Sequence, residues 1–300
     1  MISVFNFKEE LEIMSNKKKL KRLADTNLKI LKSGKIKVEK GQKVDITPFV
    51  KDSIEKSNVC RLHGLISQED VSDKTIKTDI TTNLLSPLST AILTNRLNTN
   101  DVPTLVYAVT KKHALDIFSM IDDSEISALL RSSTLGAIYR ELKPQWEGII
   151  HDELKTMESV VMEIPKVMIY FDITTGEIKK NPTYINLLLI AVPNAKYIKK
   201  GDSVTGEEGL EKVSDEEKIT TIVADMCDAI IKTGNKNVIL NPFTIPYLTK
   251  HADTTAEVWG TITASQKFLE NVRSAIFSIN NENLYVLFTG TLNRLHGRNV

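Results

Sequence analysis

The chain has 300 residues, 41% hydrophobic and 26% charged, enough for one large domain or two smaller ones with an ordinary core. Its 39 basic and 38 acidic side chains leave a net charge of +1, so no whole-chain field favours nucleic acid or an anionic membrane, and neither is expected as a partner. Cys60 and Cys227 stand far apart with no paired spacing, which argues against a disulfide framework or a thiolate metal site; both are expected to be reduced and buried. No run of about 18 apolar residues and no signal-like leader occurs, so a cytoplasmic location is expected, the host cytoplasm for a viral source.

The spacing of Leu20, Leu23, Ala24, Leu28 and Leu31 predicts an amphipathic helix over 17–33, with Gly34 as its stop and the KKK run on a solvated face. VDITPFVKDSIEKSNV reads as a short extended piece and a second helix, and 65–88 as irregular chain with one strand. SPLSTAILTNRL reads as a helix capped by Ser86 with Pro87 in its first turn, and TLVYAV as a strand. VMIYFD, YINLLLIAV, NVIL and LYVLF are continuous apolar runs, predicted as strands covered on both faces. A helix is predicted over EEKITTIVADMCDAIIKTG and another over AEVWGTITASQKFLENVRSAIF, with 201–218 as a flexible loop. The sum is an α/β fold, a sheet flanked by helices behind a mostly helical N-terminal part.

Motifs for common chemistries are missing. The five histidines show neither HxxxH nor HExxH spacing, so no metal site is expected, and each reads as a surface or loop residue. There is no GxGxxG, GxxxxGK[ST] or GxSxG, and no cofactor is expected. The acidic group Asp122, Asp123 and Glu125 suits a helix N-terminus: Asp122 or Asp123 as cap, and Glu125 at the capping-box offset from Asp122.

In order and texture the chain resembles the microbial-type poly(ADP-ribose) glycohydrolase family, a macrodomain core behind a helical extension. KRLADTNLKILKSGKIKVEKGQKVDIT resembles the family's N-terminal helix and "V-D-I" segment, and TTNLLSPLSTAILTNRL the stretch before its first core strand. TLVYAVTKKHALDIF stands where that strand and its glycine-rich loop belong, and SALLRSSTL is similar to the "L-x-R-S-S-x-L" helix. VMIYFDITTGEIKKNPTYINLLLIAVPNA resembles the paired strands ending in "P-A-P-N", and NVILNPFTIPYLTKHADTTAEVWG takes the place of a second glycine-rich loop and its helix. The resemblance implies an N-terminal helical extension over 1–88 and a macrodomain-like mixed sheet flanked by helices over 89–300.

The site motifs depart from the family. Its members carry an asparagine, a proline and three glycines leading to a phenylalanine, then a glutamine and two glutamates. With Phe118 and Arg131 in register, the glycine positions hold Leu115, Asp116 and Ile117, and the Gln-Glu-Glu positions hold Glu125, Ile126 and Ser127. Glycines there would permit φ > 0 and bring backbone N–H groups close to a diphosphate; Leu and Ile side chains obstruct both, and Asp116 adds like charge. In the second loop, Pro242 and Pro246 remove two donors. The implied reading is a degenerate, non-catalytic macrodomain acting as an interaction or structural module, through a protein partner or self-association. The alternative is an ADP-ribose-binding protein or ADP-ribosyl glycohydrolase using a repositioned carboxylate, Glu125 or Asp122, with Lys112, Asp116, Phe118, Asn241 and Thr244 meeting the ligand.

Overall fold

A computed structural model describes residues 17–37, 43–64, 78–97, 102–118, 124–173, 175–198 and 213–297. Helix α1 (Lys17–Ser33) ends at Gly34, whose φ of 67° is the left-handed conformation that closes a helix. A two-stranded ribbon follows, β1 (Lys35–Lys37) antiparallel to β2 (Lys43–Asp45), then α2 (Thr47–Glu55), β3 (Asn58–Arg61), β4 (Asp79–Asn83) and α3 (Pro87–Leu97). Next come β5 (Thr104–Thr110), the single turn α4 (Lys111–Ala114), α5 (Glu125–Ser132), α6 (Leu135–Glu153), β6 (Val160–Phe171) and β7 (Ile178–Val192). The C-terminal part holds α7 (Asp215–Lys232), β8 (Asn237–Leu240), α8 (Pro246–Lys250), α9 (Ala252–Thr263), α10 (Gln266–Asn271), β9 (Ser274–Ser278) and α11 (Glu282–Leu295).

Seven strands form one mixed sheet in the order β3-β6-β7-β5-β8-β9-β4. β7, β5, β8, β9 and β4 are parallel, while β6 runs antiparallel to β7 and β3 antiparallel to β6. Both edge strands, β3 and β4, come from the first 88 residues. The central strands read as continuous apolar runs because each face has its own cover. Val106, Leu188, Ile190 and Leu240 pack with Ile222 and Met226 of α7, Trp259 of α9 and Phe288 of α11. Leu105, Leu187, Leu189 and Ile239 on the opposite face pack with Ile92 of α3, Leu129 of α5 and Ile138 and Trp146 of α6.

A third cluster, Ile36, Ile46, Met168, Tyr170 and Phe171, seats the ribbon after α1 on the end of β6. Asn27 of α1 is fully buried; its Nδ2 donates to Leu130 O (2.6 Å) and Ser133 O (3.2 Å), and its Oδ1 accepts from the Tyr170 hydroxyl. Those bonds fix α1 against the end of α5.

Several predicted elements change type. LYVLF lies inside α11: Asn281 caps it by accepting from Leu284 N–H (3.1 Å), and Val286 is 63% exposed where a central strand would bury it. SAIF is not the tail of a helix but part of β9, between β8 and β4. Runs of four or five apolar residues do not distinguish helix from strand; their neighbours in space do. Asn58 and Val59, read as the tail of the second helix, belong instead to β3. The predicted loop over 201–218 gives way at Asp215 to α7, opened by a capping box of Ser214 and Glu217; residues 201–212 lie outside the described residues. The helix read through RSSTL stops at Ser132, because Ser133 bridges to Ile169 and the chain restarts as α6 at Leu135. Cys227 is buried and Cys60 only half-buried; both are free. Among the described residues no helix is long and apolar enough to cross a membrane.

Candidate functional site

In an open α/β sheet, ligands bind outside the carboxyl ends of the parallel strands. β5 and β8 are adjacent there, so the loops that follow them, 111–118 and 241–245, flank the place a ligand would take in this fold.

The first loop turns inward from its start. Lys111 is 1% exposed; its Nζ donates to Glu153 O (2.6 Å), Thr156 O (3.0 Å) and Thr156 Oγ1 (3.0 Å), using all three hydrogens at the C-terminal end of α6. Burial pushes its pKa down to about 8 against the pull of Glu153 and Asp225. Trp146 Nε1 donates to Ala114 O (3.1 Å), and Asp116 N–H to His113 O (3.1 Å). Leu115, Ile117 and Phe118 pack on the helix-covered core face, and the Phe118 ring stacks on Tyr139 with centroids 3.6 Å apart. Among the described residues the only non-glycine with positive φ is Lys166, far from this loop, so no backbone nest for an anion forms there. Lys112 and Asp116 are exposed on its outer side.

The second loop is closed in the same manner. Asn241 Oδ1 accepts from Phe243 N–H (2.8 Å), and Phe243 O accepts from the Thr249 hydroxyl (2.9 Å). Phe243 and Ile245 are buried, Phe243 edge-on to Phe288 at 5.7 Å. The Thr244 hydroxyl is enclosed and makes no hydrogen bond.

At α5 the cap is Ser124, whose Oγ accepts from Ser127 N–H (3.3 Å). Serine takes the role expected of Asp122 or Asp123, which lie outside the described residues. Ile126 and Ser127, where the sequence resemblance implied the family's two glutamates, are 1% and 0% exposed, one apolar and one neutral. Glu125 occupies the first turn and its Oε1 accepts from Leu88 N–H (3.1 Å), joining the start of α5 to the start of α3, where Ser86 accepts from Ser89 N–H (3.2 Å) as predicted. Glu125 also lines a pocket of about 350 Å³ between α1, α3, α5 and the β6–β7 turn, with Arg131, Leu23, Leu88 and Phe171 among its walls. None of Lys112, Asp116, Phe118, Asn241 and Thr244 lines that pocket.

The buried Lys111 and Glu153 and the half-buried Asp225 were not foreseen. Asp225 of α7 accepts from the Ser159 hydroxyl, and desolvation raises its pKa to about 6. Residues 111, 159 and 225 meet only in space, so no spacing in the chain could reveal them. Among the described residues no group of three or more His, Cys, Asp or Glu side chains could hold a metal ion.

No protein-family model matches the chain, and no curated protein matches it. Solved structures do. Poly(ADP-ribose) glycohydrolase from Thermomonospora curvata superposes with a TM-score of 0.67 at 19% identity, over 91% of this chain and 98% of that one. The same enzyme bound to the inhibitor ADP-HPD gives a TM-score of 0.67 at 19% identity, over 90% and 98%. Poly(ADP-ribose) glycohydrolase from Deinococcus radiodurans in complex with ADP-ribose gives a TM-score of 0.57 at 12% identity, over 83% and 97%. The class is therefore a macrodomain-like α/β fold. More narrowly, it is the fold of the microbial poly(ADP-ribose) glycohydrolases, as the resemblance in sequence implied.

Proposed function

We propose that this chain is a degenerate macrodomain of the microbial poly(ADP-ribose) glycohydrolase type, a non-catalytic interaction or structural module of the cytoplasm that works through a protein partner or self-association. The observation that carries the reading is the enclosed pair Ile126 and Ser127 at the positions where the family's glutamates stand. Glycosidic hydrolysis needs a positioned acid, and neither side chain supplies one. The two loops support the same reading: a diphosphate would need free backbone donors, and the Phe243 and Asp116 N–H groups are already committed within their own loops.

One feature favours the second reading, an ADP-ribose-binding or hydrolysing protein. Glu125 is a carboxylate on an open pocket of about 350 Å³. Calorimetric titration with ADP-ribose separates the two. Absence of heat up to about 1 mM ligand, an affinity weaker than about −4 kcal/mol, together with no release of ADP-ribose from a modified protein and a discrete oligomer on a sizing column, supports the non-catalytic module. Micromolar binding with release that disappears in Glu125→Gln establishes the enzyme instead.

A further inference from the structure

The net charge of +1 averages two unlike parts. Residues 17–45 hold 11 Lys and Arg against three acidic residues, a net charge of +8, so the other 271 residues carry −7. Within it the structure describes α1 and the β1–β2 ribbon; Asp25 and Asp45 are exposed there as well, and Asp45 is the cross-strand partner of Lys35. Leu20, Ala24 and Asn27 of α1 and Ile36 of β1 are buried, while Lys21, Arg22, Lys29, Lys32, Lys35, Lys37 and Lys43 are exposed. None of those seven makes an ion pair with a described residue. Lys37 and Lys43 are direct cross-strand partners, an arrangement of like charges that destabilises a ribbon unless an anion lies across it.

We propose that α1 and the β1–β2 ribbon form a docking surface for double-stranded nucleic acid, held through backbone phosphates. The outward side of α1, Lys21, Arg22, Asp25, Thr26, Lys29, Lys32 and Ser33, carries no aromatic residue. Single strands are bound on aromatic stacking platforms, which this face lacks. Among the described residues of α1 and the ribbon, Val44 is the one exposed large apolar side chain (37%), too little for an apolar face that enters a membrane interface. What remains is a rigid row of cations along a helix about 25 Å long, matched to a duplex that presents a phosphate about every 1.7 Å of its axis. The surface is distinct from the two loops at the sheet's carboxyl ends, while Arg22 and Thr26 at its edge also line the pocket that holds Glu125.

The test is fluorescence anisotropy of a labelled DNA duplex of about 24 base pairs with the full chain, from about 50 to 200 mM salt. Binding is expected to weaken steeply with salt, and Lys29→Glu/Lys32→Glu/Lys37→Glu/Lys43→Glu to reduce affinity at least about tenfold while flattening the log–log salt slope by about 3 to 4. The milder Lys29→Gln/Lys32→Gln, checked by circular dichroism for an intact fold, should flatten the slope by about 2. Reversal of two exposed cations elsewhere, Lys155→Glu and Lys250→Glu, should leave affinity unchanged. The proposal is overturned by no anisotropy change at about 50 mM salt, by equal loss in the Lys155/Lys250 control, by tighter binding of a single strand of the same length, or by capture on phosphatidylserine vesicles without duplex binding.

Discussion

The ring of Phe118 lies on the ring of Tyr139, centroids 3.6 Å apart and planes 20° apart. That stack ties the end of the first loop to α6 and holds Leu115 and Ile117 on the same core face. The loop is thus a packed part of the core rather than a lid over a vacant cleft. Phe118→Ala removes the stack and half-buried area, so urea denaturation should show a loss of about 2 kcal/mol. A midpoint unchanged within error would mean that the stack contributes nothing to the loop's closed state.

Glu125 and Leu88 form the second tie. Glu125→Ala deprives the Leu88 N–H of its acceptor (3.1 Å) and takes a negative charge from the first turn of α5. The expected effect is a loss of about 1 to 2 kcal/mol, read as a lower denaturation midpoint at unchanged slope. Glu125→Gln keeps an acceptor oxygen and should lose less than half of that. The comparison distinguishes a structural carboxylate from a catalytic one, since only the latter links Glu125 to ADP-ribose release.

Asp225 gives the stability a pH signature. Its carboxyl titrates near pH 6 in the folded chain against an ordinary value of 3.8, chiefly through burial. The folded state therefore holds a proton that the unfolded chain has released, and stability falls as pH rises. The contribution is complete below about pH 4 and gone above about pH 6, on the order of 3 kcal/mol in all. Asp225→Asn keeps a neutral acceptor for Ser159 and should lack this fall. Denaturation midpoints of the two proteins at pH 4 and pH 7 provide the measurement; parallel pH curves would contradict it.

Gly34 ends α1 with a φ of 67°, and a Cβ built on it would stand 2.6 Å from Thr47 Oγ1. Gly34→Ala should lower stability by about 1 to 2 kcal/mol, visible as a drop in the thermal midpoint. Gly290, in open space on α11, is the control. Gly290→Ala should leave the midpoint unchanged or raise it by up to about 1 kcal/mol.

Much of the framework was legible in the chain. The runs of β5, β7 and β8 are apolar on both faces because each strand is buried on both, a pattern that survives in one dimension. Gly34 as a stop, and Ser86 with Pro87 as a start, follow from backbone sterics and capping geometry, which are local. The absence of glycine at 115–117 and of carboxylates at 126 and 127 is likewise a matter of residue identity. No fold could restore them.

Other features required three dimensions. LYVLF and SAIF each offer too few apolar residues to choose between periods of 2 and 3.6, and the choice falls to what packs beside them: a slot between β8 and β4 for β9, and the α9-covered face for α11. Lys111 reads as one more surface lysine until the end of α6 comes to accept its three hydrogens. Glu125 reads as a capping-box partner until the N-terminus of α3, 37 residues away in the chain, proves to be its donor. Local sterics and residue type are written in the sequence; burial and long-range hydrogen bonding belong to the packed chain, because they depend on groups that only folding brings together.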